Sequence, residues 1–583
     1  MHSRRRFLAS TLAAGAALPV AALPAPLADH RPAPGAPPGA VPMPEAQSRP
    51  VTVGEIAAAE AVFGLSFTPD QRELMLDDVN DRLEQLAAIR AAEPPNSVPP
   101  ALALDLGLSG EARPAPGAGA SVSMPAAVRR RPSDQDLAFA SIPELGALLR
   151  GGAVTAVGLA ELFLDRLARF DSRLQAVVTL TRERALETAR ARDAELAAGI
   201  DLGPLHGIPY GAKDLLAARG YPTTWGAEPY RDQVIDEDAA AVSKLEAAGA
   251  VLVAKLTLGA LAWGDVWFGG TTKNPWNPDE GASGSSAGPG AAVAAGLVPF
   301  AIGSETLGSI VSPSTRNGVT GLRPTFGRVP TRGAMALSWS MDKLGPMARS
   351  AVDCALVFDA LRGADPEAAR PALAPDPAFP FDPASPLGDL RVGVLAGAFE
   401  ADGAGGAADR ATLAVLERLG VDAQPVALPS GVPVDALLLI LEAEAAAAFD
   451  GLTRSGGVDR LVRQTRDAWP NVFRHGHLVP AVDYLNANRL RTVLMREMAA
   501  LFDGLDVLVT PSFGNAGLAI TNLTGHPAAV VPNGFFPVEG SADRRSPHSV
   551  TFLGPLWKDH LPLRLAHAVQ EATDFHTRRP PVS

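Results

Sequence analysis

Three glycine- and serine-rich strings carry the residue types that acyl-transfer chemistry needs. The first, Gly207-Ile-Pro-Tyr-Gly-Ala-Lys213-Asp214, ends an apolar run on a lysine. The second runs Gly281-Ala-Ser-Gly-Ser285-Ser286-Ala-Gly-Pro-Gly290 into an alanine-rich stretch that closes at Gly296. The third, Gly303-Ser-Glu-Thr-Leu-Gly-Ser309-Ile310, leads on to Gly318-Val-Thr-Gly-Leu-Arg-Pro324-Thr325. A Gly/Ser loop entering a helix presents backbone N–H groups that can hold a developing negative charge. A serine inside such a loop becomes a nucleophile when a base lies near it. No histidine is close in sequence, but Lys213 follows an apolar run whose burial would lower its pKa toward a usable neutral amine. Ser–Lys arrangements are an alternative to Ser–His–Asp. Each string alone reads more simply as a turn, a linker or a strand end meeting water.

A rival assignment uses the same loop. Gly284-Ser285-Ser286-Ala287-Gly288 fits the G-x-S-x-G nucleophile elbow of α/β-hydrolases, with Ser286 as nucleophile and His526 as base of an esterase. An elbow must follow a buried strand, whereas here Asn277-Pro-Asp-Glu-Gly281 precedes the loop. Metal chemistry has little support. The ten histidines are scattered, His475-Gly-His477 lacks an evident third ligand and reads as a surface loop, and the single cysteine, Cys354, forbids both a Cys-based zinc site and an intrachain disulfide.

The three strings taken together resemble the amidase signature family. That family's pattern has a lysine in G-I-P-x-x-x-K-D and a G-G-S-S-G-G loop. It continues with G-S-D-T-G-G-S-I, whose last serine follows the first loop serine by 24 residues, and then G-x-x-G-L-K-P-T. Here Ser285 and Ser309 are 24 residues apart and Lys213 ends the matching string. Supporting matches are Lys273-Asn-Pro-Trp-Asn-Pro278, Asp342 through Gly345-Pro-Met-Ala-Arg349, and Asn522-Leu-Thr-Gly-His-Pro527. The resemblance covers roughly residues 133–578. It implies Ser309 as the acyl-accepting nucleophile, Ser285 as a bridging serine on a cis peptide after Gly284, and Lys213 as general base acting through Ser285. The backbone N–H groups of Thr306, Leu307, Gly308 and Ser309 would form the oxyanion hole. It further implies hydrolysis of a small-molecule carboxylic amide, a C–N bond other than a peptide bond, with no metal or organic cofactor.

The chain departs from that pattern in places. Leu307 stands where the T-G-G-S string has its first glycine, Ser283 and Ala287 replace loop glycines, Pro289 replaces a serine, and Val311 takes the place of an arginine common after S-I. None removes a proposed catalytic side chain, but the acyl pocket should differ in size and polarity. An exported binding protein that kept the fold and lost activity through Leu307 is the non-enzymatic alternative.

The elements that must position these residues are legible in outline. At ~150 residues per domain, 583 residues allow up to about four domains. Hydrophobic residues at 47% and charged residues at 20% supply a sizeable core. A net charge of −12 argues against nucleic acid or an anionic membrane as main partner. From Ser133 short apolar runs alternate with helical stretches: Ala176–Leu180, Ala250–Ala254, Leu390–Leu395 and Leu505–Thr510. That alternation predicts an α/β architecture, and the resemblance implies a mixed β-sheet flanked by helices on both faces, forming one catalytic domain over 133–583. Ser141-Ile-Pro-Glu144 caps a short helix ending at Gly151, a longer helix runs from about Thr155 to Phe170, and proline-rich residues 363–388 read as a surface excursion.

Ahead of this domain, 51–92 reads as a helical extension. Thr52-Val-Gly-Glu55 forms a capping box with Gly64 as stop, and Thr68-Pro-Asp-Gln71 opens a second helix bearing Leu76, Val79, Leu83 and Leu86 as an apolar stripe. Such a stripe must dock on the main body or a partner. The pair distantly resembles the small helical subunit of amidotransferase members. Residues 29–50 and 93–132 are Pro/Gly/Ala-rich linkers. Residues 1–28 read as a signal peptide whose Ser3-Arg-Arg-Arg-Phe-Leu8 resembles the twin-arginine export string, with cleavage after Ala22 or Ala28. Pro19 and Pro24 interrupt its apolar stretch, arguing against an uncleaved span. A periplasmic or extracellular location, with the twin-arginine machinery as partner and no stable membrane association, is therefore expected.

Overall fold

The structure, a computed structural model, describes residues 49–92, 119–365 and 378–581. The expected signal peptide at 1–28, nearly all of the 29–50 linker, residues 93–118 of the second linker and the middle of the 363–388 excursion lie outside the described residues.

One eleven-stranded sheet organises the region from Val177 to Leu553. In chain order its strands are β1 (Val177–Leu180), β2 (Pro209–Lys213), β3 (Val251–Leu256), β4 (Phe300–Glu305), β5 (Thr320–Arg323), β6 (Lys343–Ala348), β7 (Val392–Leu395), β8 (Ala423–Val426), β9 (Val507–Pro511), β10 (Ala528–Pro537) and β11 (Arg545–Leu553). Their spatial order is β1-β3-β2-β4-β6-β5-β10-β11-β9-β7-β8. The sheet is mixed: β2 runs parallel to β3 and β4, and β7 parallel to β8 and β9, while the remaining pairs are antiparallel. Every residue of β2, β3, β5, β6 and β9 is buried. Because successive side chains point to opposite faces, helices must cover both sides. The four apolar runs expected as strands fall on β1, β3, β7 and β9.

The helix caps read from sequence form as expected. Thr52 and Glu55 close a capping box, and Gly64 ends the helix Val53–Phe63 in the left-handed conformation. Ser141 and Glu144 close another at Ile142–Arg150, and Thr155 caps Ala156–Leu174. The stripe on the helix Pro69–Ala91 differs in detail. Its buried positions are Met75, Val79, Arg82, Leu86 and Ile89, while Leu76 and Leu83 are only half-buried. A search for apolar residues skips Arg82, which occupies a core-facing position and so shifts the apparent phase. The stripe packs against the helices Trp469–Gly476 and Ala481–Asp503. There Arg82 pairs with Glu442 and its Nη2 lies 2.9 Å from His475 Nδ1, so His475 is a buried docking residue rather than part of a surface loop. The described part of the second linker lies along the body, with Ser121 N–H donating to Phe381 O and Val128 N–H to Ala147 O. Among the described residues no helix is long and apolar enough to cross a membrane.

Candidate active site

The parallel pairing of β2 with β4 brings two of the three strings to one end of the sheet. Tyr210, Gly211 and Ala212 pair with Phe300, Ala301 and Ile302, so Lys213 ends β2 beside Gly303–Glu305. Crevices outside the carboxyl ends of parallel strands are where open α/β sheets bind ligands. The second string supplies the turn into the helix Ala287–Ala294, and the third the turn from β4 into the helix Val311–Asn317. The Gly284–Ser285 peptide is cis, as the resemblance implies. Gly284 has a steric reason: a Cβ there would sit 1.8 Å from the carbonyl oxygen of Gly264. Gly308 takes φ 79°, a conformation open to glycine at little cost.

Lys213 is fully buried, and its Nζ is surrounded by oxygens. Ser285 Oγ and Ser304 Oγ lie at 2.8 Å, Ser286 Oγ at 3.0 Å and Ser304 O at 3.4 Å. Burial drives the lysine well below its ordinary pKa, against the upward pull of the Asp342 and Glu305 carboxylates. Asp214 does not contribute. Its side chain leaves the opposite face of the chain, pairs with Lys255 Nζ at 2.7 Å and accepts from Thr224 N–H at 2.9 Å.

Ser309 is 4% exposed, and its carbonyl accepts from Ser286 N–H at 3.2 Å, which ties the two loops together. Among the described residues, no protein group accepts from the N–H groups of Thr306, Leu307, Gly308 or Ser309. Four donors in one tight turn are what an oxyanion needs. The Thr306 hydroxyl donates to Asp342 Oδ1 at 2.6 Å, and Asp342 Oδ2 accepts from the N–H groups of Leu337 and Ser338 at 2.7 and 3.0 Å. The Leu307 side chain packs partly buried against the core rather than standing free.

The elbow assignment finds no geometry. Ser286 Oγ is engaged with Lys213 and with the backbone of Ser304, donating to its carbonyl and accepting from its N–H, each at 3.1 Å. The His526 ring sits 2.8 Å from Thr524 Oγ1, stacks on Phe502 at 5.2 Å, and is pushed by burial and then by Arg323 down to a pKa of about 3. No hydrogen bond joins Ser286 to His526 among the described residues.

Two groups escaped the sequence reading. Ser304 and Asp342 lie within strings quoted from the sequence and touch the site, but neither had a role there legible in the sequence. The second group did carry a signal. Glu305 stands where the family pattern has aspartate and Arg323 where it has lysine, and the fold places the two 2.8 Å apart, both fully buried. Two departures that each lengthen a charged side chain by about one bond suggest partners.

Comparison with known proteins agrees with this geometry. The sequence profile of the Amidase family matches residues 158–531. The A subunit of the glutamyl-tRNA(Gln) amidotransferase from Dechloromonas aromatica (strain RCB) is 34% identical over 489 residues, spanning 76% of this chain and 99% of that protein. Among solved structures, a protein from a vestigial complex bearing on the evolutionary origins of an s-triazine catabolic enzyme superposes with a TM-score of 0.67 at 31% identity, covering 75% of this chain and 99% of its own. The peptide amidase of Stenotrophomonas maltophilia gives 0.66 at 29% identity, covering 76% and 98%. A lysine-and-serine site at the strand ends of a mixed sheet, together with these matches, places the chain in the amidase family.

Proposed function

We propose that this protein hydrolyses a small-molecule carboxylic amide through an acyl-enzyme on Ser309. In this mechanism neutral Lys213 accepts a proton from Ser285, Ser285 takes the proton of Ser309, and Ser309 Oγ attacks the carbonyl carbon. The oxyanion so formed is held by the N–H groups from Thr306 to Ser309. As the C–N bond breaks, the proton returns through Ser285 to the departing amine, leaving the acyl ester on Ser309. Water, deprotonated by the same relay, then releases the acid. No metal or organic cofactor takes part.

The observation that carries this reading is a fully buried lysine amine 2.8 Å from Ser285 Oγ, on a loop tied by a hydrogen bond to the Ser309 carbonyl. The relatives' names, a peptide amidase and one component of an amidotransferase, share chemistry at an amide. A free-standing hydrolase is favoured over an amidotransferase component by the Ser3–Leu8 string, since export would separate the chain from aminoacyl-tRNA, and by the net charge of −12. The location belonging to this reading is periplasmic or extracellular.

Turnover of a panel of aliphatic, aryl and peptide amides tests the chemistry. Ser309→Ala and Lys213→Ala should each lower kcat by about 1,000-fold or more, because members of a catalytic unit fail together. Near-normal turnover in Ser309→Ala refutes the assignment. Changing Arg4 and Arg5 to lysine should hold the precursor in the cytoplasm, and unimpaired export would overturn the twin-arginine reading.

A further inference from the structure

The Glu305 carboxylate closes a ring around the serine turn. It ends β4, and its Oε2 reaches across the intervening four residues to accept from Ile310 N–H at 2.8 Å and Val311 N–H at 2.9 Å. These are the two groups that immediately follow Ser309. Its Oε1 accepts from Arg323 Nη1 and from Asn522 Nδ2, both at 2.8 Å. Arg323, the last residue of β5, uses Nη2 to reach Thr521 Oγ1 at 2.7 Å and His526 O at 2.9 Å. One guanidinium thus fixes the carboxylate to the framework through two separate nitrogens, a division of labour that a lysine ammonium cannot copy at the same positions. Burial would push the Glu305 carboxyl up, but Arg323, the Val311 N–H and Lys343 hold it at about 2, so it stays a charged acceptor.

The reach of that carboxylate therefore sets where Ile310, and with it Ser309, stands relative to Ser285. Strands β4 and β5 both pair with β6, so the separation of the backbones bearing residues 305 and 323 is fixed by the sheet. Shortening either side chain opens a gap that the sheet cannot close, and once that contact is lost the second shortening removes little more from the turn.

We infer that Glu305 and Arg323 are a positioning pair for the Ser309 turn, each acting through its contact with the other. This rests on the assignment of Ser309 as nucleophile.

The test is a double-mutant cycle of Glu305→Asp, Arg323→Lys and the combination, which recreates the two residues of the family pattern. The readouts are the rate of labelling by a fluorophosphonate, the kcat and KM for a turned-over amide, and the thermal midpoint. A displacement of about 1 Å at a reacting atom costs on the order of 100-fold, so each single variant should lose about that much in labelling rate and kcat with KM little changed. The double variant should lose little beyond the worse single, because both changes break the same contact, a coupling within the range seen for contacting residues. A purely structural pair would lower the thermal midpoint without a kcat-specific loss in the folded protein. A double whose loss multiplies the losses of the two singles overturns it, as do singles within twofold of wild type or singles that fail to fold. Labelling that persists in Ser309→Ala would instead refute the nucleophile assignment, which separates the two failures.

Discussion

Replacing Asp342 by asparagine tests whether Lys213 is the group whose deprotonation controls turnover. Burial drives the Lys213 pKa down, and the Asp342 and Glu305 carboxylates are the charges that oppose it. Asp342 accepts from the Thr306 hydroxyl on one oxygen and from the N–H groups of Leu337 and Ser338 on the other. An asparagine can serve both sets, its oxygen facing the two N–H groups and its NH₂ donating to Thr306 Oγ1, so the change deletes a charge and little else. At an effective dielectric of ~20 a unit charge is worth about 4 kcal/mol at 4 Å and about half that at twice the distance, so a shift on the order of one to two pH units is expected. Loss of a negative charge makes the ammonium form less favourable, so the shift must be downward. The limb on which kcat/KM rises as Lys213 loses its proton should therefore move to lower pH by about that amount, with a similar plateau. The assay is a pH–rate profile of a chromogenic amide in wild type and Asp342→Asn. A limb that stays in place or moves up refutes the lysine base, as does a limb near pH 6.5 that disappears in His526→Gln.

Two further outcomes follow from buried charges. His526 stays neutral in the folded protein down to about pH 3 but titrates near 6.5 when unfolded, so the unfolded chain binds the extra proton between those values and stability is lost as pH falls through that window. Urea unfolding at pH 7 and pH 5 should show a smaller difference in His526→Gln than in wild type; an equal difference contradicts this. Lys255→Met leaves the Asp214 carboxylate buried without its cation, and should cost about 3–5 kcal/mol in urea unfolding at pH 7, partly recovered in Asp214→Asn/Lys255→Met; a loss below about 1 kcal/mol, or no recovery in the double variant, contradicts it.

Four of the strands that the sequence hid differ in composition from the four it revealed. β1, β3, β7 and β9 are apolar and β-branched, so composition alone marks them. β2, β4, β5 and β6 read Pro-Tyr-Gly-Ala-Lys, Phe-Ala-Ile-Gly-Ser-Glu, Thr-Gly-Leu-Arg and Lys-Leu-Gly-Pro-Met-Ala. Their glycines, prolines and charges look like loops, yet they are the centre of the sheet and carry the site. The glycines let backbones approach closely, and the charges pair inside: Lys213 with serines, Glu305 with Arg323. Propensity fails there because function occupies the positions that strand formers would fill. Lys213, Ser285 and Ser309 were legible because their spacing forms a motif. The groups that hold them were not, since Asp342 and Ser304 meet the site only through strand pairing, and Arg82 hides in a helical stripe because a charged residue is not counted as core.

The proposed chemistry turns on which atom carries the acyl group. Reaction of the intact protein with a fluorophosphonate, followed by proteolysis and mass spectrometry, locates the covalent adduct directly. One adduct is expected, on the peptide containing Ser309 and localised to that residue, formed far more slowly in Lys213→Ala. An adduct on Ser286 or Ser285, or one that forms at the wild-type rate without Lys213, would contradict the Ser309 mechanism.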